Sequence, residues 1–463
     1  MTKSRFRMPS AYTILFIILA IAALLTWIVP AGQYDKTADG QPIPGTYALT
    51  EPNQQGVGDI LTASIKGFYE AADVALFILM VGGFLGVVME TGAITAGIKN
   101  IIAKLSGKET LLIPILMVLF GLGGTTFGMW EETIAFFPLL IPVFLAAGFD
   151  TMTAVAVILL GAGAGVLCST VNPFATGIAS GFAGVSMGDG ILVRLLQLVL
   201  FEGAAIWYVM SYAKKVKADP SKSLGSRETG TDMDESDTGG KRKLTGRDKI
   251  TLALFVLTFL IMIYSVIPFS DLGLTAIPTL GWWFDELSAL FLVSGVVIGL
   301  AGGLKEERLV DCFVSGAGEL LSVALIIAVS RGITVIMNEG LITDTVLSFG
   351  EGILSSLSSK VFGFFVFLLY LLLSVFIPST SGLAALSIPI MAPLGDFANV
   401  ARSVIITAFQ SASGIVNLIT PTGAVVMGAL TLGRIPYDRW IRFSWKYVVG
   451  ALVVSALLIW VIS

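Results

Sequence analysis

Apolar runs of about 20 residues, bounded by short polar segments, recur along the whole chain, and that is the length a bilayer demands of a crossing helix. Runs from Ser10 to Pro30, Asp73 to Thr91, Ile191 to Tyr212, Ile250 to Pro268, Glu286 to Gly303 and Ala317 to Met337 meet it. Other stretches are apolar but interrupted. Gly123 to Pro142 reads GGTTFGMWEETIAFFPLLIP, and its Gly and Thr residues predict a turn between two short helices. We read residues 111–147 as a re-entrant hairpin with arms over 111–122 and 130–147, each too short to span comfortably. The apolar segment from Thr151 is interrupted by GAGAGVLCSTVNPFATG, Gly161 to Gly177, which predicts a helix broken at mid-membrane over 151–187. Irregular backbone at that depth survives only inside protein or beside a cavity, because its free N–H and C=O groups need partners.

The second half of the chain repeats the first. GAGELLSVALIIAVSRG (Gly316 to Gly332) resembles GFYEAADVALFILMVGG (Gly67 to Gly83) at a constant offset of 249. Pro138 and Pro142 recur as Pro389 and Pro393, so the first hairpin tip falls opposite FIPSTSGLAAL, Phe376 to Leu386, and a second hairpin is predicted over 361–396. Pro173 recurs as Pro421, setting VNPFATG against ITPTGAV and predicting a second broken helix over 402–430. Lys3, Arg5 and Arg7, then Lys99, Lys104 and Lys108, Lys214, Lys215 and Lys217, and finally Lys305 and Arg308 mark the cytoplasmic ends of the spans. Counting from them places the N-terminus in the cytoplasm and the C-terminus outside, and runs the span of Val74 inward but that of Val323 outward. The halves, 1–213 and 249–463, are therefore inverted, the second opening with a linking helix. Between them lies a polar cytoplasmic linker, 214–248, rich in Gly, Ser, Thr and charge. The expected fold is an all-α polytopic membrane protein with nine full spans, two re-entrant hairpins and two discontinuous helices. Broken helices in corresponding positions of inverted halves point to a secondary transporter with its site at the midplane.

Composition agrees and narrows the chemistry. Of 463 residues 55% are hydrophobic and only 13% charged, and the mean hydropathy is +0.89, outside the range of soluble domains. Histidine is absent, which removes the commonest metal ligand and leaves any proton coupling to carboxylates. The two cysteines, Cys168 and Cys312, are too few for a disulfide framework or metal cluster. A hydrolase would lack the usual nucleophile–base or metal constellation, and capped breaks suit an occluded site better than an open pore, so an enzyme and a channel are the less natural readings.

Four half-helix ends should converge on one cavity. Thr125, Thr126, Ser169, Thr170 and Asn172 on one side, and Ser379, Thr380, Ser381, Thr420 and Thr422 on the other, supply hydroxyl and amide groups for it. Of these, Ser169, Thr170, Asn172 and Thr420 are the candidates for a coupling cation, and Asn172 with the rest for substrate; the plain alternative is that they cap helix breaks. Glu131 and Glu132 are intramembrane acids, which are costly unless they face protein or water. Either they hold a cationic group, a cation or a proton, or they serve the helix N-terminus as caps. Arg331, deep in its span, either forks a substrate carboxylate or neutralises a glutamate. Glu202 is a further intramembrane acid without breakers around it.

WIVPAGQYD (Trp27 to Asp35), FGMWEETIAFFPLLIP (Phe127 to Pro142), VNPF (Val171 to Phe174), AALSIPIMAPLGD (Ala384 to Asp396) and ITPTGA (Ile419 to Ala424) resemble the YfcC-like branch of the C4-dicarboxylate anaerobic carrier families, in the ion transporter superfamily. The resemblance covers nearly the whole chain outside the linker. It implies an inner-membrane secondary carrier, dimeric, with scaffold and transport domains moving in elevator fashion. Its substrates range from C4-dicarboxylates to basic amino acids such as arginine and ornithine. Two glutamates facing one arginine suit a zwitterion with an extra positive charge better than a dianion, so basic amino acids are expected first and organic anions second. The expected partners are that small molecule and the bilayer, not nucleic acid; no cofactor is expected beyond coupling Na⁺ or H⁺.

Overall fold

The computed structural model describes residues 11–38, 42–94, 96–97, 108–226, 244–266, 269, 276–354 and 358–463. Lys3, Arg5, Arg7, Lys99, Lys104 and most of the expected linker, including Lys241 to Lys243, lie outside the described residues. Among the described residues the regular elements are helices, apart from one two-residue strand pair, Gly32–Gln33 with Ala48–Leu49. Eight helical stretches among those residues are long and apolar enough to cross a membrane. The protein is an all-α polytopic membrane protein.

After α1 (Ala11–Ile28) come α2 (Val57–Glu70) and α3 (Ala72–Glu90), kinked apart at Ala71. The first hairpin is α4 (Leu112–Phe127), a 3₁₀ turn over Glu131–Phe136, and α5 (Phe137–Ala146). The first broken helix is α6 (Thr151–Leu167) and α7 (Ile178–Ala183), separated by an irregular stretch and a π turn over Pro173–Gly177. Helices α8 (Ile191–Ala218), α9 (Gly246–Val266) and α10 (Phe284–Gly302) lead to α11 (Glu306–Glu339). Then come the amphipathic α12 (Thr343–Leu354), the second hairpin α13 (Ser359–Phe376) and α14 (Thr380–Phe397), the second broken helix α15 (Arg402–Asn417) and α16 (Ala424–Leu432), and α17 (Tyr437–Ile462).

The inverted relation is visible in one helix seam. The α2–α3 stretch and α11 begin and end 249 residues apart, Val57 against Glu306 and Glu90 against Glu339. They pack antiparallel with backbones almost touching. A Cβ on Gly67 would stand 2.4 Å from the Ala328 carbonyl and 2.5 Å from the Gly332 nitrogen, and one on Gly82 would stand 2.6 Å from the Gly316 carbonyl. Gly67 and Gly316 are repeat partners, as are Gly83 and Gly332, so each close approach draws on glycines of the repeated motif. The acids of the flanking ion pairs are repeat partners while their cations come from unrelated positions: Lys66 holds Glu339 at 2.7 Å, and Arg308 holds Glu90 at 2.9 Å. Only small residues permit this approach.

One expectation needs correction. The glycines of the first hairpin do not break its first arm at Leu122; α4 continues through Gly123, Gly124, Thr125 and Thr126. Including the 3₁₀ turn before it, the arm is an 18-residue apolar stretch, Glu109–Thr126, as is Ser359–Phe376 in the second hairpin. Only the second arm, α5, is short. Those glycines serve packing against the wholly buried α6: a Cβ on Gly124 would lie 2.3 Å from the Ala162 carbonyl, and one on Gly165 would lie 2.1 Å from the Gly121 carbonyl. The two broken helices likewise cross at Leu167 and Gly414, where a Cβ would come within 2.4 Å of the Leu167 Cα.

Candidate functional site

Each hairpin and each break is built by its own capping chemistry. At the first tip Gly128 takes the left-handed conformation (φ 76°), and a Cβ there would meet Asn172 Oδ1 at 2.5 Å; only glycine combines that φ with that approach. The chain then re-enters a helix at Glu131, and the Glu132 carboxylate accepts the Trp130 backbone N–H at 3.1 Å. In the first break Asn172 Oδ1 accepts the backbone N–H groups of Phe174 (2.9 Å) and Ala175 (3.3 Å), while its Nδ2 donates to Ser169 Oγ at 3.1 Å. Ser169 in turn donates to the Val166 carbonyl. Thr125 and Thr170 tie the first hairpin to this break, Thr170 N donating to Thr125 Oγ1 at 3.0 Å and Thr170 Oγ1 to the Thr125 carbonyl at 3.1 Å.

The second half uses hydroxyls where the first used carboxylates. Ser379 caps α14 by accepting the Gly382 N–H at 3.3 Å, and Thr380, at the start of that helix, lies 3.5 Å from Ser413 Oγ. Thr420 and Thr422 share a hydrogen bond of 2.7 Å, and Thr422 Oγ1 donates to the Val375 carbonyl, also at 2.7 Å. Ser330 of α11 donates to the Thr422 carbonyl, joining the seam to the second break.

These ends surround a cavity of about 200 Å³. Of the residues singled out from sequence, Glu131, Glu132, Asn172, Arg331, Ser379, Thr380, Ser381 and Thr422 line it. Thr125, Ser169, Thr170 and Thr420 stand behind the wall in the hydrogen bonds just described. Thr126 points elsewhere, its hydroxyl on the Leu122 carbonyl at 2.6 Å. Glu202 is remote from the cavity, and neither of its buried carboxylate oxygens has a hydrogen-bond partner among the described residues.

Sequence reasoning missed Glu70 and Asp73, which also line the cavity from the kink between α2 and α3. The repeat alignment held the signal for Glu70, since it recurs as Glu319 on the seam, but these residues read as the outer boundary of a span. Trp130, Trp283 and Phe174 were missed too; Trp283 and Phe174 pack at 4.6 Å between ring centroids as part of the lining. The charged groups around the cavity are thus the carboxylates of Glu70, Asp73, Glu131 and Glu132 and one guanidinium, Arg331. Among the described residues Arg331 has neither ion pair nor hydrogen bond of its own.

A lipid-crossing bundle whose two inverted halves each contribute a hairpin and a broken helix to one enclosed, charged cavity is a membrane transporter. The chain belongs to the C4-dicarboxylate anaerobic carrier family, which matches residues 8–463. An uncharacterized protein of Haemophilus influenzae is 35% identical over 99% of this chain and 97% of its own. A protein of Escherichia coli K12 named as the putative basic amino acid antiporter YfcC is 29% identical over 98% of this chain and 95% of its own. Among solved structures, the YdaH transporter of Alcanivorax borkumensis aligns over 98% of both chains with a TM-score of 0.46 and 13% identity.

Proposed function

We propose that the protein is a secondary active transporter of amino acids, basic ones of the arginine and ornithine type first, working by alternating access. The observation that carries this reading is the charge of the cavity: four carboxylates face one guanidinium. An amino acid with a cationic side chain brings two positive groups and one negative, and so complements that set. Its α-carboxylate would fork to Arg331, while its α-ammonium and side-chain cation would face Glu131, Glu132, Glu70 and Asp73. The name of the Escherichia coli relative points the same way. A C4-dicarboxylate or other organic anion, favoured by the family's description, is the second reading; it would have to enter with protons or cations that neutralise the carboxylates.

The hairpins and broken helices form the moving body in this proposal, and the α2–α3 and α11 seam with α10 the fixed one. Residues 1–213 and 249–463 are the two repeats, joined by the 214–248 linker. Ser169, Thr170, Asn172 and Thr420 would brace a coupling Na⁺ beside the cavity, with H⁺ on the carboxylates the other option. The protein would sit as a dimer in the inner membrane, N-terminus cytoplasmic and C-terminus external.

Uptake of labelled arginine against labelled succinate into proteoliposomes tests the substrate. Arginine uptake is expected, abolished in Glu131→Gln and Glu132→Gln while both variants still insert; succinate uptake, or full arginine transport by both variants, would overturn the reading.

A further inference from the structure

Outside the cavity, a groove of about 670 Å³ runs between α8 and α17. Its two walls are single helix faces. On α17 Arg442, Lys446, Gly450 and Val454 fall at every fourth position, and on α8 Leu200, Ala204, Tyr208 and Tyr212 do the same, with Lys215 beyond them. Polarity is graded along it. Lys215, Arg442 and Lys446 gather at one end, and among the described residues no Asp or Glu lines any part of it. The other end is apolar, and its floor is widened by small residues: a Cβ added at Gly450 would meet nothing within 4 Å. From Arg442 to Val454 the groove runs about 18 Å at 1.5 Å per helical residue, slightly more than half of a hydrocarbon core about 30 Å thick.

We propose that this groove binds one anionic phospholipid, with its phosphate among Lys215, Arg442 and Lys446 and an acyl chain lying along Ala204, Gly450 and Val454. Length selects a lipid: the groove ends where a single leaflet ends. Charge selects an anionic one, because three cations converge there from two helices and no described residue of opposite sign lines the groove with them. Aromatic rings at the charged end, Tyr208 and Tyr212, suit the headgroup boundary, where amphipathic rings gather. Basic pockets between membrane helices are a recurrent site for such headgroups.

The test uses the full chain in detergent, read by native mass spectrometry and by thermal unfolding with phosphatidylglycerol or phosphatidylcholine added. Wild type is expected to keep one phosphatidylglycerol per chain and to gain several degrees in Tm, with no gain from phosphatidylcholine. The Lys215→Gln/Arg442→Gln/Lys446→Gln variant should bind phosphatidylglycerol about a hundredfold more weakly, the combined effect of three cations near an anionic surface. Gly450→Phe fills the floor while leaving every cation in place, and it should lose the bound lipid as well. Equal response to the two lipids, or retention of phosphatidylglycerol by Gly450→Phe, would overturn the proposal. So would a change of oligomeric state in either variant, which would assign the groove to a second copy of the chain.

Discussion

Glu131 and Glu132 share one turn of 3₁₀ helix, yet the backbone uses them differently, since Glu132 accepts the Trp130 N–H and so closes the helix start behind the tip. Glu132 therefore serves the helix start, as the plainer reading expects, and also lines the cavity. Glu202 presents the opposite case. Its carboxylate is buried on α8 with both oxygens unpartnered among the described residues, against Gly121, where a Cβ would approach Glu202 Oε2 to 2.6 Å. A polar group buried without partners costs roughly 1–3 kcal/mol, so Glu202→Leu should raise the Tm of the purified protein; a lower Tm would mean that the carboxyl has a partner in the membrane. The intramembrane charges were legible in the sequence because nothing else explains a carboxylate or guanidinium amid apolar residues. Glu70 and Asp73 were not, because their depth depends on α2, which carries Asp59 and Lys66 and reads as a polar loop. Its buried residues are Ala63 and Gly67, and hydropathy gives no sign that such small residues lie against another backbone.

At the level of elements, glycine has two uses here that look identical in a sequence. Gly128 is needed for its left-handed turn, whereas Gly67, Gly82, Gly124 and Gly165 sit in regular helix and are needed for contact. The expected break at Gly123 and Gly124 failed because backbone packing against α6 favours the helix there, overriding the weak intrinsic preference of glycine against it. Gly67→Val and Gly82→Val should each cost about 1–3 kcal/mol, the usual range for overpacking a close contact, seen as a drop in Tm. Gly58→Val, with open space around its Cβ position, should leave the seam intact and lose only a fraction of that. The helix breaks themselves were legible, since Asn172, Pro173 and Pro421 carry a local capping or breaking rule.

For the molecule as a whole, the elevator reading requires the hairpins and broken helices to slide against α11. The contact that such sliding must break includes Gly428 of α16 against Val323, where a Cβ on Gly428 would lie 3.8 Å from the Val323 Cβ, inside the range a disulfide bridges without strain. Val323→Cys/Gly428→Cys should therefore cross-link under oxidant and stop uptake in proteoliposomes, with recovery on reduction. Undiminished uptake by the fully cross-linked protein would exclude motion at this contact.

The sequence by itself determined the membrane class, the pairing of hairpins and breaks, and three of the charged residues facing inward, Glu131, Glu132 and Arg331, because hydropathy, breaker residues and a repeated order of motifs are local properties read one segment at a time. Only the tertiary structure decided which hydroxyls line the cavity and which brace it, and that Glu70 and Asp73 join Glu131 and Glu132 around Arg331. Those outcomes depend on how closely two backbones approach and on where a kink sets a helix face, and both are fixed by contacts between residues hundreds of positions apart.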